Sequence, residues 1–267
     1  FALQGTVGSG TLTAGPATLT LTNAGFSFER RTVDVDTDGN GTADLIGATL
    51  TGVALSVSGA TVKVDAVATL TVSGQLALAS VTPAGVGATT RYSALKMGDV
   101  TVMAQAGVGA LGLTGTLTIT SLETNSVATG FTGARLDWAS AFDLDGDGTK
   151  DVLDPGALLP TPVALPIDFA SSLELAVSGS VTGTGALLNG AGTETLLSAG
   201  PIAIGGAAQF ALSRRTVDVD TDGNGTADLL GATLQSVALS VSGATVKVDA
   251  VATLTVSGQL ALASVTA

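Results

Sequence analysis

The chain has no cysteine and no histidine, and aromatic residues make up only 3% of its 267 positions. Without cysteine there are no disulfides, no thiol chemistry and no thiolate metal sites. Without histidine the usual zinc sites and imidazole acid–base chemistry are excluded as well. With so few rings, a core must be assembled from Ala, Val and Leu spread over a wide, thin interface, as in packed sheets or stacked repeats. Charge is also scarce, 12% of residues, yet the net charge is −12. Ten Lys and Arg against 22 Asp and Glu leave no basic face, so nucleic acid is not an expected partner. Thirteen of those 22 acidic residues fall in three short segments, Asp34–Asp44, Asp143–Asp154 and Asp218–Asp228. Such local concentration points to a cation.

An internal duplication dominates what is present. Arg30–Thr82 recurs as Arg214–Thr266, and only Ile46/Leu230, Thr51/Gln235 and Gly52/Ser236 differ. Upstream, Ala14-Gly15-Pro16 and Phe26 have looser counterparts in Ala199-Gly200-Pro201 and Phe210. This is the signature of a tandem array. A partial third copy, Asp143–Leu153, resembles Asp36–Ile46. The expected organisation is a module A at 1–90, a related module B at 91–198 with a Pro-rich joint at 153–166, and a second, truncated module A at 199–267. The window opens and stops inside strand-like sequence, which we read as a piece of a longer polypeptide with its targeting signals elsewhere.

Within a module the hydrophobic period is two. Val53, Leu55 and Val57 alternate with Ala54 and Ser56, Val62 and Val64 with Thr61 and Lys63, and Leu70 and Val72 with Thr69 and Thr71. The expected fold is all-β, with elongated tandem modules of antiparallel meander strands broken at glycines and arranged as a β-sandwich or a β-solenoid. The uncharged stretches 66–90 and 100–122 carry Thr, Ser or Gly at nearly every second position, so neither reads as a membrane-spanning helix. The aromatic girdles of a membrane barrel are missing. Pro155, Pro160, Pro162 and Pro166 mark an extended joint rather than a core strand.

The three acidic segments share the frame D-x-D-x-[DN]-G-x-x-D. Its candidate metal ligands are Asp36, Asp38, Asn40, Thr42 and Asp44; Asp143, Asp145, Asp147, Thr149 and Asp151; and Asp220, Asp222, Asn224, Thr226 and Asp228. Side-chain oxygens at positions one, three and five of a tight loop converge on one point. The glycine then permits a sharp turn, position seven offers its carbonyl, and position nine closes the shell with a carboxylate. Ca2+, which takes six to eight hard oxygens in flexible geometry, is the expected ion. The competing reading is an Asp/Gly turn satisfied by its own backbone. Gly47, Asp154 and Gly231 stand where an EF-hand would place its closing Glu, and Asp154 is the one of these that offers a ligand. Asp34 and Asp218 read as strand residues. Arg30-Arg31 and Arg214-Arg215 are partners for the loop carboxylates or for a neighbouring module, or else solvated.

The loop frame resembles the calcium loops of FG-GAP/integrin-propeller and thrombospondin type 3 repeats. Together with the near-identical repeats and the Thr/Gly/Ala-rich strands, it resembles the repeat regions of giant bacterial calcium-dependent surface proteins and RTX-type adhesins, although the RTX nonapeptide G-G-x-G-x-D is absent. The resemblance implies an extracellular or cell-surface stalk stiffened by calcium, partnered by neighbouring repeats of the same chain. Two rivals are a self-assembling filament or sheath made from identical chains, and a module binding sugar or ice through Thr faces such as Thr18/Thr20/Thr22, Thr69/Thr71 and Thr114/Thr116/Thr118/Thr120. No catalytic residues are assigned and an enzyme is not expected. Glu29, Glu123, Glu174 and Glu194 are scattered, and Trp138 reads as core.

Overall fold

In the computed structural model, residues 1–14, 17–64, 68–108, 111–184, 188, 193–199, 202–248 and 251–267 are described. The Gly-Pro pairs at 15–16 and 200–201 lie outside them. Eleven strands form one antiparallel sheet that does not close: β1 (Ala2–Ala14), β2 (Ala17–Val35), β3 (Leu45–Val64), β4 (Ala68–Thr82), β5 (Tyr92–Val108), β6 (Leu111–Val127), β7 (Leu173–Gly183), β8 (Thr195–Ala199), β9 (Ile202–Val219), β10 (Leu229–Val248) and β11 (Ala252–Thr266). The order follows the chain, apart from β7 and β8, which share the gap between β6 and β9. The all-β meander read from the sequence is therefore what the chain adopts, in the form of a single open sheet. Positions 90 and 91 lie in the connection between the paired strands β4 and β5, and the 198/199 boundary falls inside β8.

The strands are longer than the glycines suggested. β3 runs through Gly59 and β4 through Gly74, and the phase slips are bulges rather than turns. Register shifts occur at Val57/Ala60, Ser73/Gln75 and Ile119/Ser121, and in the second copy at Val241/Ala244 and Ser242/Thr245. They line up as a belt across mid-sheet, with left-handed backbone at Asn23 and Asp99 (φ 51° each). Thr22 Oγ1 donates to the Gly59 carbonyl at 2.6 Å and Ser58 Oγ to that of Asn23 at 3.2 Å, so side chains satisfy backbone acceptors at the belt. An extra residue on one strand absorbs the slip without ending the ladder.

Beyond the belt lies the Thr-rich half. Thr11, Thr20, Thr61 and Thr71 stand side by side on four strands, and Met103 then interrupts the row before Thr116 and Thr182. On the loop side of the belt, an apolar row on one face runs from Phe26 through Leu55, Leu76, Met97, Leu122 and Val177 to Leu212, Val237 and Leu262.

The core lies on the other face of the loop-side half. There the irregular segment 128–172, between β6 and β7, lays Leu136, Trp138, Phe142, Leu153, Leu165, Ile167 and Phe169 over Val33, Leu50, Ala77, Ala79, Val81, Tyr92 and Ala94. Two glycines also lie beneath it: a Cβ on Gly52 would stand 3.1 Å from Glu29 Cγ on the neighbouring strand and in ordinary contact, 3.6 Å, with Pro155 Cγ of the cover, and one on Gly98 would stand 3.4 Å from Leu165 Cδ2. Trp138 is fully buried and donates from Nε1 to Asn125 Oδ1 at 3.0 Å. The Asn125 Nδ2 donates to the carbonyls of Leu136 (2.8 Å) and Ala170 (3.2 Å), which fastens the cover to β6. The Pro-rich stretch expected as an extended joint is part of this cover. Pro155–Leu158 forms one 3-10 turn with Pro155 and Gly156 buried, and Ser27 Oγ donates to the Pro155 carbonyl at 3.0 Å.

The duplicated halves fold with the same register but different surroundings. Val81 is 0% exposed and its duplicate Val265 46%. Val81→Ala is expected to cost ~2 kcal/mol and Val265→Ala less than ~1 kcal/mol, because only the first leaves a cavity. Denaturant unfolding of the two variants checks it, and equal losses would contradict the difference in burial.

Candidate metal centre

Each acidic loop is built by its glycines and closed by one backbone bond. In the first, Gly39 and Gly41 take φ of +76° and +87°, a region that L side chains rarely adopt. Gly146/Gly148 (+81°, +85°) and Gly223/Gly225 (+77°, +87°) repeat this in the other two. The glycine at position four, which the sequence frame left open, is thus as necessary as the one at position six. The amide at position nine donates to the carbonyl just before position one in all three loops: Asp44 to Val35, Asp151 to Phe142 and Asp228 to Val219, each at 2.8 Å. Loops one and three join β2 to β3 and β9 to β10, whereas loop two sits inside the covering segment.

The carboxylates at positions one, three and nine converge. Asp36, Asp38 and Asp44 bring ligand atoms within 4.8 Å of one another, as do Asp143, Asp145 and Asp151, and Asp220, Asp222 and Asp228. Clusters of three Asp able to hold a metal ion are therefore present at each loop. The side chains at position five are exposed and make a local turn bond. Asn40 Oδ1, Asp147 Oδ1 and Asn224 Oδ1 accept from the amides of Thr42 (2.7 Å), Thr149 (2.7 Å) and Thr226 (2.8 Å). That leaves the Thr42, Thr149 and Thr226 carbonyls as the position-seven donors assigned by the frame.

Asp154 does not join the middle cluster. Its Oδ1 accepts from the amides of Gly156 and Leu165, both at 3.0 Å, and so caps the 3-10 turn. Asp34 and Asp218 accept from the amides of Gly47 (2.7 Å) and Gly231 (2.8 Å), pinning the start of the returning strand. Arg31 pairs with Glu29 (3.3 Å) and Arg214 with Glu174 (3.1 Å), not with loop carboxylates. Glu174 also meets Arg135 (3.0 Å), and Glu123 meets Lys96 (3.5 Å).

The cation that does reach a loop is one the sequence reading passed over. Lys150 Nζ, from loop two, lies 3.3 Å from Asp36 Oδ2 of loop one. Loops one and two are neighbours, and Asp36 N also donates to the Ala141 carbonyl at 3.0 Å. Asp36 is 2% exposed, whereas its duplicate Asp220 is exposed. Burial of Asp36 works to raise its pKa, but the amides of Gly41 and Gly39 and the Lys150 ammonium outweigh it and hold the carboxyl below the ordinary range. Asp44 and Asp228 are held low by the hydroxyl and amide of Thr37 and Thr221, Asp147 by those of Thr149, and Asp220 by the amide of Gly225 with that of Gly223.

Comparison of the chain with models of protein families, with curated proteins and with solved structures found no match. Among the described residues no helix is long and apolar enough to cross a membrane.

Proposed function

We propose that this chain is a calcium-binding structural repeat segment of an extracellular or cell-surface stalk or adhesin, and that its role is mechanical rather than catalytic. The observation that carries the reading is threefold recurrence: the same nine-residue frame gathers three carboxylates around one point at each of three places. The loop's own amides and hydroxyls keep these carboxylates ionised, and a divalent cation would offset the repulsion that remains among them. Hard oxygens on a Gly-rich loop suit Ca2+ better than Mg2+, which demands stricter geometry. The affinity range of extracellular modules, about 10⁻⁴–10⁻³ M, matches the millimolar calcium found outside cells. At loops one and three the ion would tie together the ends of two adjacent strands, and at loop two it would hold the cover against loop one.

Calorimetric titration of calcium into chelator-treated protein is expected to show about three weak sites. Absence of heat and of any change in melting temperature would sink the calcium reading. Proton competition has a defined direction. The folded-state pKa values of Asp36, Asp44, Asp220 and Asp228 are lowered. Their stabilising contribution is thus complete above the unfolded carboxylate value of about 4 and is lost as pH falls through the lower folded values. Calcium binding should accordingly be flat across neutral pH.

A filament of identical chains is the second reading, favoured by one observation. Among the described residues β11 pairs with β10 alone and all fifteen of its residues are exposed, and an edge of this kind can take another strand.

A further inference from the structure

The exposed state of the second copy is at odds with its own sequence. β4 and β11 have the same fifteen residues, ATLTVSGQLALASVT, and pair with β3 and β10 in the same register, Leu50 opposite Val81 and Leu234 opposite Val265. In the first copy Leu50, Ala77, Ala79 and Val81 are 0% exposed. Two things bury them: β5 pairs with the far edge of β4 from Ala68 to Val81, and segment 128–172 lies on the face. In the second copy neither is present, and β11 is exposed along its whole length.

At one of the three positions that differ, Gly52/Ser236, the second copy keeps a small side chain on the face that the cover touches in the first. Gly52 faces Glu29 across β3 and β2, and in the second copy the same cross-strand pair is Ser236 and Ser213. A large side chain beside none is replaced by two small ones, whose hydroxyls lie 2.8 Å apart. The other end of the sheet follows the same plan. Gly5 of β1 opposes Phe26 as Gly179 of β7 opposes Phe210, and a Cβ on either glycine would come within 2.9 Å of the facing ring. β1 therefore occupies the place in its copy that β7 occupies in the next, and β7 is joined on its other side to β6.

We propose that the free edge and covered-type face of β10–β11 are the docking site for a further unit of the 83–172 kind: two strands like β5 and β6, followed by a covering segment like 128–172. The recognition is the one already seen in the first copy. An apolar segment of Leu, Trp and Phe sits on a floor of Ala and Val, beside a strand that completes the ladder. Loop three then receives against Asp220 the counterpart of the Lys150 contact. This inference does not rest on the metal reading.

The chain has no native cysteine, so Val265→Cys provides a single thiol reporter. Its labelling rate is compared in the full 267-residue chain and in the same chain extended after Ala267 by a second copy of residues 83–172, at one fixed calcium concentration. Docking is expected to slow labelling by ~100-fold or more, to the level of Ala79→Cys in the first copy. Ala263→Cys serves as a second reporter in case position 265 disturbs the edge. Equal rates with and without the extension would overturn the proposal. So would equal protection by an extension of the same composition in shuffled order. Protection that grows with concentration in the unextended chain would overturn it in favour of a second copy of the molecule as occupant.

Discussion

Trp138→Ala is expected to unseat the cover and to cost ~3–5 kcal/mol, the range for removing a large buried ring. In a chain of this length that corresponds to a fall in melting temperature on the order of 10 °C. The side chain is fully buried, packs on Phe142 with ring centroids 5.7 Å apart, and donates to Asn125. Asn125 in turn holds two cover carbonyls. Trp138→Phe separates packing from polarity. It fills most of the volume but leaves the buried Asn125 Oδ1 without its donor, a loss of ~1–3 kcal/mol. Calorimetric melting of the two variants reads both values. If Trp138→Ala melts like the parent, the cover contributes nothing to the fold and the buried cluster beneath it has been misassigned.

The cover is also what the sequence hid. Strands announce themselves by alternation, and Val53-Ala54-Leu55-Ser56-Val57 reads as β from the residues alone. The acid loops announce themselves by spacing. Segment 128–172 does neither, because Leu136, Trp138, Phe142, Leu153 and Leu165 are spaced with no period, and four prolines suggested a linker. A compositional signal was available. Phe131, Trp138, Phe142 and Phe169 are four of only nine aromatic residues in the chain (seven Phe, one Trp and one Tyr). Where rings are this scarce, their concentration marks the place where the core is built. The glycines misled in a related way. Gly59 and Gly74 look like turn residues, but the strands continue through both, and at Gly74 the bulge uses the positive φ (+144°) that a turn would also have called for. Lys150 was invisible for a third reason: its contact with Asp36 joins residues 114 positions apart and exists only once the cover has folded back.

That contact sets up the last expected result. Loops one and three have the same sequence, Asp-Thr-Asp-Gly-Asn-Gly-Thr-Ala-Asp, so any difference in calcium affinity between them must come from their surroundings. Loop one has an ammonium 3.3 Å from a ligand oxygen and a nearly buried Asp36, whereas loop three is open to water. A cation entering loop one must displace or oppose the Lys150 charge. Loop three is therefore expected to fill first, with loop one weaker by ~10-fold, the size of one moderately screened charge contact. Lys150→Ala should bring the two loops together, and Asp222→Ala should remove the tighter of them. Calcium titration of these variants, followed by calorimetry and by thermal melting, separates the sites. Were calcium to bind only the folded loops, as proposed, each site at ten times its Kd would multiply the folding equilibrium by roughly tenfold, and three together by on the order of a thousandfold. That would be enough to make the segment firm where calcium is abundant and pliable where it is withdrawn. Equal affinities in the parent protein, unchanged by Lys150→Ala, would mean that Lys150 swings clear of the site when the ion arrives. In that case the two loops would act as independent copies of one device.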